Sequence, residues 1–271
     1  MNIVEDFRAA WIFEAAHHDL DLLPTVLARA ITQVLPVDAA GISFFGKEQR
    51  VPLGASAAEA VAAERWQFTL GEGPCFTAYD TDQLVIADEA TLRRRWPALH
   101  DLLREHSPFR SIVVLPLGHG ARLSGALDLY STRPHPDAGL DLQSAQTVAA
   151  LAHHALTYLW SASDLDPGSA LDLGSAVEVE PGQVASSTAR ASRFVDPVHP
   201  RAWLNSATVR ARQEVWIAVG ICNVVLHLDT SDAFALLRAH AYTQDKTLEE
   251  AAADVVSGRT PVQSLTGTDD S

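Results

Sequence analysis

Apolar positions recur at helical spacing over residues 2–16 and 22–35, with Pro24 suited to a first turn and Pro36 just past the end. The period then changes. Residues 39–45 form a compact apolar run that predicts a strand, and shorter strands are expected at 51–54 and 84–87. Ser56 and Glu59 have the spacing of a capping box at the start of the next helix. Gly71-Glu-Gly-Pro74 reads as a turn, and residues 91–105 as a helix interrupted at Pro97. Residues 111–117 and 124–130 are β-rich apolar runs separated by Gly118 to Arg122, which predicts a hairpin with a loop of several residues. A long amphipathic helix over 141–160 completes this part. Late antiparallel strands between helical ends point to an α+β fold, a mostly antiparallel sheet covered by helices.

The pattern breaks after residue 160. Residues 161–200 hold 7 Ser, 3 Gly and 4 Pro and one aromatic, Phe194, so little apolar surface offsets the entropy of ordering them. We expect a flexible linker over 161–202. Beyond it the spacing is helical throughout, with helices expected over 204–227, 230–243 and 247–257 and a disordered tail over 261–271. Asp229 and Thr230 can cap the second helix, Thr247 and Glu250 form a capping box for the third, and Gly258 stops it. Ala233, Leu236, Leu237, Ala241, Leu248, Ala252, Val255 and Val256 supply opposing apolar faces. In the first helix, Ala218 and Gly220 are small where a crossing helix must approach. The glycine costs roughly 1 kcal/mol of helix propensity, so a steric reason is expected for it.

Charge narrows the function. The chain has 20 Lys and Arg against 34 Asp and Glu, a formal net charge of −14, divided evenly between the parts before and after residue 160. Nucleic acid binding draws on cations that neutralise phosphates, so any such role must use a local patch. The longest nearly apolar stretch, residues 217–228, is well short of the roughly 20 residues a membrane span needs. The opening residues carry Glu5 and Asp6 and no basic leader, so a cytoplasmic location is expected. Cys75 and Cys222 are far apart with no CxxC spacing, which reads as two buried thiols.

Four ordered segments carry a resemblance: WQFTLGEGPCFTA from Trp66, RRWP from Arg94, RSIVVLPL from Arg110 and GALDLYS from Gly125. Residues from about 20 to 160 resemble a GAF sensor domain of the bacterial subtype. Residues from about 203 to 257 resemble an ANTAR domain, the three-helix RNA-binding module of transcription antiterminators, through Ala218-Val-Gly220, AFALLRAHA from Ala233 and the spacing of Leu248, Ala252, Val255 and Val256. The order of the two domains is also that of the GAF and ANTAR regulators. The resemblance implies domains at 1–160 and 203–260, a small-molecule ligand in the first, and RNA hairpins bound by the second to favour antitermination. The chain departs from the ANTAR pattern at Ile217, Val219, Ala241 and Asp245, where polar residues or a lysine are usual. Those changes leave a second reading open, a sensory or scaffold protein whose helical module mediates protein contact without RNA.

By the resemblance, the RNA-binding candidates are Ala218, Gly220, Arg238, Ala241, Lys246 and Thr247, and the ligand-pocket candidates are Trp66, Cys75, Phe76, Tyr79, Arg110 and Tyr130. Arg238 reads equally as an RNA contact or as a salt-bridge partner of Asp232 or Glu249. GEGPC lacks the spacing of a phosphate-binding loop and reads as a structural turn or as the border of the ligand cavity. Cys75 could sense redox state there if exposed beside positive charge. The adjacent pairs His17-His18 and His153-His154 point about 100° apart on a helix and cannot easily share a metal, so no metal or other cofactor is expected. Arg93 to Arg95 read as a solvated helix face. With no GxSxG motif and no lysine between Lys47 and Lys246, neither a serine hydrolase nor a phosphoacceptor domain is indicated, and the chain does not read as an enzyme. A homodimer is expected, its seam on the helices at 2–35 and 141–160.

Overall fold

The computed structural model describes residues 2–18, 22–45, 50–118, 124–136, 139–161 and 207–266. Most of the expected linker lies outside them. Two helices, α1 (Ile3–His17) and α2 (Leu23–Val34), lead into strands β1 (Ala39–Phe45) and β2 (Arg50–Ala55). Helices α3 (Ala58–Leu70) and α4 (Pro74–Thr81), strand β3 (Val85–Ala87) and helices α5 (Glu89–Arg95) and α6 (Pro97–His106) follow. The hairpin of β4 (Ser111–Leu117) and β5 (Gly125–Ser131) and the long α7 (Leu142–Ser161) complete this part. Its five-stranded sheet has the order β2-β1-β5-β4-β3, and each neighbouring pair is antiparallel.

Alternation along the strands builds two cores. Ile42, Val113, Leu115, Leu127 and Leu129 pack under α1, α2 and α7. Ala39, Phe45, Ile112, Val114, Ala126 and Tyr130 point the other way, into the layer of α3 to α6. Because both faces are covered, β4 and β5 are buried along almost their whole length and read as continuous apolar runs.

Local chemistry explains where the expected elements shift. Ser56 does not cap α3: its Oγ accepts the Ala40 N–H at 2.9 Å, so the serine ties β2 to β1 and leaves Ala57 as an N-cap without a side-chain bond. The turn at Gly71 to Pro74 is present but opens directly into α4, where Pro74 occupies the first turn and tolerates its missing N–H. The helix expected over 91–105 is two helices. Asp88 caps the first by accepting the Thr91 N–H at 2.7 Å, and Pro97 starts the second.

The C-terminal residues form α8 (Ala207–Leu226), α9 (Thr230–Thr243) and α10 (Leu248–Val256). Both expected caps are made: Asp229 accepts from the Asp232 N–H, and Thr247 and Glu250 close a capping box. Val215, Ala218, Val219, Cys222, Ala233, Leu237, Leu248, Ala252 and Val255 form a third core. Of the expected apolar faces, Leu236 is half-buried and Val256 exposed. The expected tail folds over Val262–Thr266 as a 3₁₀ turn whose Val262 and Leu265 enter this core. Among the described residues no single helix is long and apolar enough to cross a membrane.

The third core contains one residue from the sheet-bearing part, Phe68 of α3. Thr69 beside it accepts the Leu248 N–H at 2.8 Å, satisfying a first-turn amide of α10 that has no partner within its own helix. The three-helix module is thereby seated on α3.

Candidate functional site

A neighbouring side of α3 faces a buried polar network in the second core. Arg50 enters from β2, Glu64 and Gln67 from α3, and Asp128 and Tyr130 from β5, all of them buried. The Arg50 guanidinium donates to the Glu64 carbonyl at 3.0 Å, to Asp128 Oδ2 at 3.0 Å and to the Glu64 carboxylate. Gln67 Nε2 lies 3.0 Å from Asp128 Oδ2 and 3.1 Å from the Tyr130 hydroxyl, and its Oε1 accepts the Cys75 N–H at 3.3 Å. Tyr130 donates to Glu64 Oε1 at 2.6 Å. Asp128 Oδ1 and the Ser43 hydroxyl are buried without a hydrogen-bond partner among the described residues.

Two carboxylates and a guanidinium removed from water are tolerable only with close mutual pairing. Burial pushes the Asp128 carboxyl well above the usual carboxylate range, and the neighbouring Glu64 charge adds to the rise. Tyr130 is raised by burial and then by Glu64 and Asp128. Burial opposes the Arg50 charge, but the carboxyl groups of Glu64 and Asp128 paired with it outweigh that and raise its pKa. Two glycines make the packing possible. A Cβ on Gly41 would collide with the Glu64 carboxylate, and one on Gly73, whose φ is +143°, would lie 2.6 Å from Gln67 Oε1.

The expected pocket residues divide around this network. Cys75 and Tyr130 are fully buried in the second core, and Trp66 is buried with its ring stacked on His106 at 4.9 Å. Phe76 and Tyr79 are half-buried and close over Phe45, edge-on at 5.7 Å and stacked at 4.0 Å. Tyr130 stacks on Phe109 at 4.9 Å. These five side chains share one face of the sheet and pack against apolar neighbours there. Arg110 turns aside and donates to the Ser107 and Phe109 carbonyls at 3.2 and 2.7 Å. Burial raises the Cys75 thiol well above its ordinary value despite the nearby Arg50 charge, which is the opposite of a reactive cysteine. Both cysteines are buried free thiols. Arg93 to Arg95 are exposed, with Arg95 over the Trp96 ring at 4.5 Å.

The expected RNA contacts are scattered. Ala218 is in the third core, Ala241 is buried, and Thr247 is buried as the α10 cap. Lys246 pairs with Asp254 at 2.8 Å, and Arg259 pairs with the same carboxylate at 2.6 Å. Gly220 is exposed, and a Cβ there would meet nothing within 4 Å among the described residues, so packing inside the module does not account for the glycine. Ile217 is exposed whereas Val219 is in the core, so the two apolar departures lie on opposite sides of α8.

Arg238 makes neither expected salt bridge. Its guanidinium lies over the Phe234 ring at 5.5 Å and against Gly71, the left-handed residue that ends α3, where a Cβ would sit 2.7 Å from Arg238 Cζ. Burial lowers its pKa, and its Nε has no hydrogen-bond partner among the described residues. The GEGPC glycines thus serve two contacts: Gly71 admits Arg238 of the module, and Gly73 admits Gln67 of the network.

Glu105, His106 and Asp245 bring three donor atoms within 4.8 Å of one another beside this seam. The cluster is solvent-facing, and the 3.3 Å approach of His106 to Asp245 is that of a surface ion pair when the imidazole is protonated.

Sequence reasoning missed Arg50, Glu64, Gln67 and Asp128. The available sign was Asp128 itself, an acid in the middle of an otherwise apolar strand.

A search of curated proteins found no match. Solved structures similar to the chain include the GAF domain of a phosphoenolpyruvate-protein phosphotransferase from Coxiella burnetii, at 15% identity and TM-score 0.44 over 58% of this chain and 94% of that one. A domain of a two-component sensor histidine kinase protein from Sinorhizobium meliloti 1021 matches at 16% identity and TM-score 0.42, covering 52% and 92%. Free methionine-R-sulfoxide reductase from Neisseria meningitidis, solved with its substrate, matches at 16% identity and TM-score 0.40, covering 56% and 86%. A family model described as GAF domain matches residues 18–157, just over half of the sequence, and the chain belongs to the GAF domain family.

Proposed function

We propose that the chain is a ligand-sensing regulator whose GAF domain holds or releases the C-terminal three-helix module at α3, and whose released module binds RNA hairpins and favours transcription antitermination. The observation that carries the coupling is the double duty of one helix. Within six residues, α3 gives Glu64 and Gln67 to the buried network and Phe68 and Thr69 to the seat of the module. A small molecule that rearranges the network therefore changes the surface on which the module rests. It can do so only by binding the seated and released arrangements with different affinity, since equal binding shifts nothing.

The RNA reading rests on the ANTAR resemblance, with Arg238 as the cation it assigns to RNA. Seated as it is, the module keeps Arg238 against Gly71, so release is a condition of RNA binding through that residue. A second reading is favoured by a different observation: α8 exposes Trp216, Ile217, Val224 and Val225, a surface suited to protein contact.

A gel-shift titration of the full chain with tandem RNA hairpins at two salt concentrations separates the two. Phe68→Ala, which loosens the seat, should bind at least about tenfold more tightly than the unmodified chain, in a salt-sensitive manner. The gain should disappear when Arg238→Ala is added. No binding by any variant at low salt refutes the RNA reading and leaves the protein-contact one.

A further inference from the structure

We infer that two copies of the chain associate through the exposed face of α8, packed antiparallel about a two-fold axis passing between Gly220 and Ile221. This does not depend on the RNA reading and moves the expected dimer seam away from α1, α2 and α7.

The face is apolar and unpartnered among the described residues. Val224 is 74% exposed and Ile217 52%, with Trp216 and Val225 on its borders. At 100° per residue, Ile217, Gly220 and Val224 fall within a sector of about 60°, directly opposite the core positions Val215, Val219 and Cys222. Helix positions this apolar are normally covered.

Three features select a second copy as the cover. First, residues 215–228 contain no charged side chain. Two chains of net charge −14 repel each other over most of their surfaces, so a charge-free strip is where like copies can meet. The same strip offers nothing to an anionic nucleic acid. Second, the strip is symmetric under the proposed axis. Ile217 and Val224 lie equally far on either side of the point between Gly220 and Ile221, so antiparallel packing sets Ile217 of each copy on Val224 of the other. That reciprocal pairing is what an isologous interface requires. Third, Gly220 sits at the crossing point with open space where a side chain would be. Glycine weakens the helix there without serving any contact inside the module, and a helix backbone from a second copy is the contact it admits.

The full-length chain should be a dimer by sedimentation equilibrium. Val224→Lys should weaken association roughly 30-fold or more, as expected for loss of one central interface anchor, while the far-ultraviolet circular dichroism and melting temperature stay unchanged. Gly220→Cys, placed beside the axis, should form a covalent dimer on mild oxidation, and the unmodified chain, whose two thiols are buried, should not. Phe13→Lys, which alters an exposed apolar residue of α1, should leave the dimer intact. A chain that is monomeric at all accessible concentrations overturns the inference, whether or not it binds neutral lipid vesicles through this face. So does a dimer that survives Val224→Lys or dissociates with Phe13→Lys.

Discussion

Replacing Arg50 with methionine is expected to destabilise the protein by about 3–5 kcal/mol, the cost of leaving a buried carboxylate without its cation. Arg50 is fully buried and bonds to both Glu64 and Asp128, so its loss strands two acids in the core of the sheet domain. Asp128 is already raised by burial, and the variant would be forced to protonate both groups on folding. A loss of this size lowers the melting temperature by roughly 10 °C in a chain this long. Urea unfolding followed by circular dichroism reads it directly. The triple variant Arg50→Met, Glu64→Leu, Asp128→Leu should recover much of the loss, because removing a charged group with all its partners restores an apolar interior. Additive damage in the triple variant would show that the three do not act as one unit.

Phe68→Ala is expected to have the second largest effect and to act selectively. Phe68 is buried among Val215, Leu237 and Leu248 although it belongs to the sheet domain, so truncating it opens a cavity at the seat of the module. Phenylalanine truncations in cores cost about 3–5 kcal/mol. Here that cost falls on the attachment of α8 to α10 and not on the sheet, whose two cores lie elsewhere. Limited proteolysis should cut α9 and α10 faster in the variant, while the segment from α1 to α7 stays protected. Equal loss of protection in both parts would mean that the sheet and the module unfold as one body.

Much of this arrangement was legible before any coordinates. The helices of the module follow from cap residues, Asp229 and Thr247, whose side chains satisfy free amides at the positions their spacing indicates. The hairpin of β4 and β5 follows from two apolar β-rich runs around a loop. What escaped notice has physical reasons. Helix α4 is eight residues long, starts at a proline and has no side-chain cap, so its first residues carry the signature of a turn. Ser56 and Glu59 have capping-box spacing, but the serine meets a stronger competitor in the neighbouring strand. Ile217 and Val219 both depart from the family pattern, yet a step of two residues crosses a helix, and only Ile217 is exposed.

The candidate site was harder. Burial of charge is decided by tertiary pairing, and Arg50, Glu64 and Asp128 come from three separate elements. Nothing in local sequence brings them together. Gly71 and Gly73 stood out in the sequence, but their purpose is visible only with Arg238 and Gln67 beside them. The pocket residues inferred from the GAF resemblance do gather on one face of the sheet, apart from Arg110, whose side chain is engaged by its own backbone neighbours.

Amide hydrogen exchange in Tyr130→Phe shows whether α3 links the buried network to the module. The substitution removes only the hydroxyl that donates to Glu64, and Tyr130 itself lies in the second core, away from α8, α9 and α10. Exchange should quicken at the Leu248 amide, which is held by Thr69, and through the first turn of α10, with the α7 amides unchanged. Exchange in α10 identical to that of the unmodified chain, alongside a perturbed β5, would contradict it.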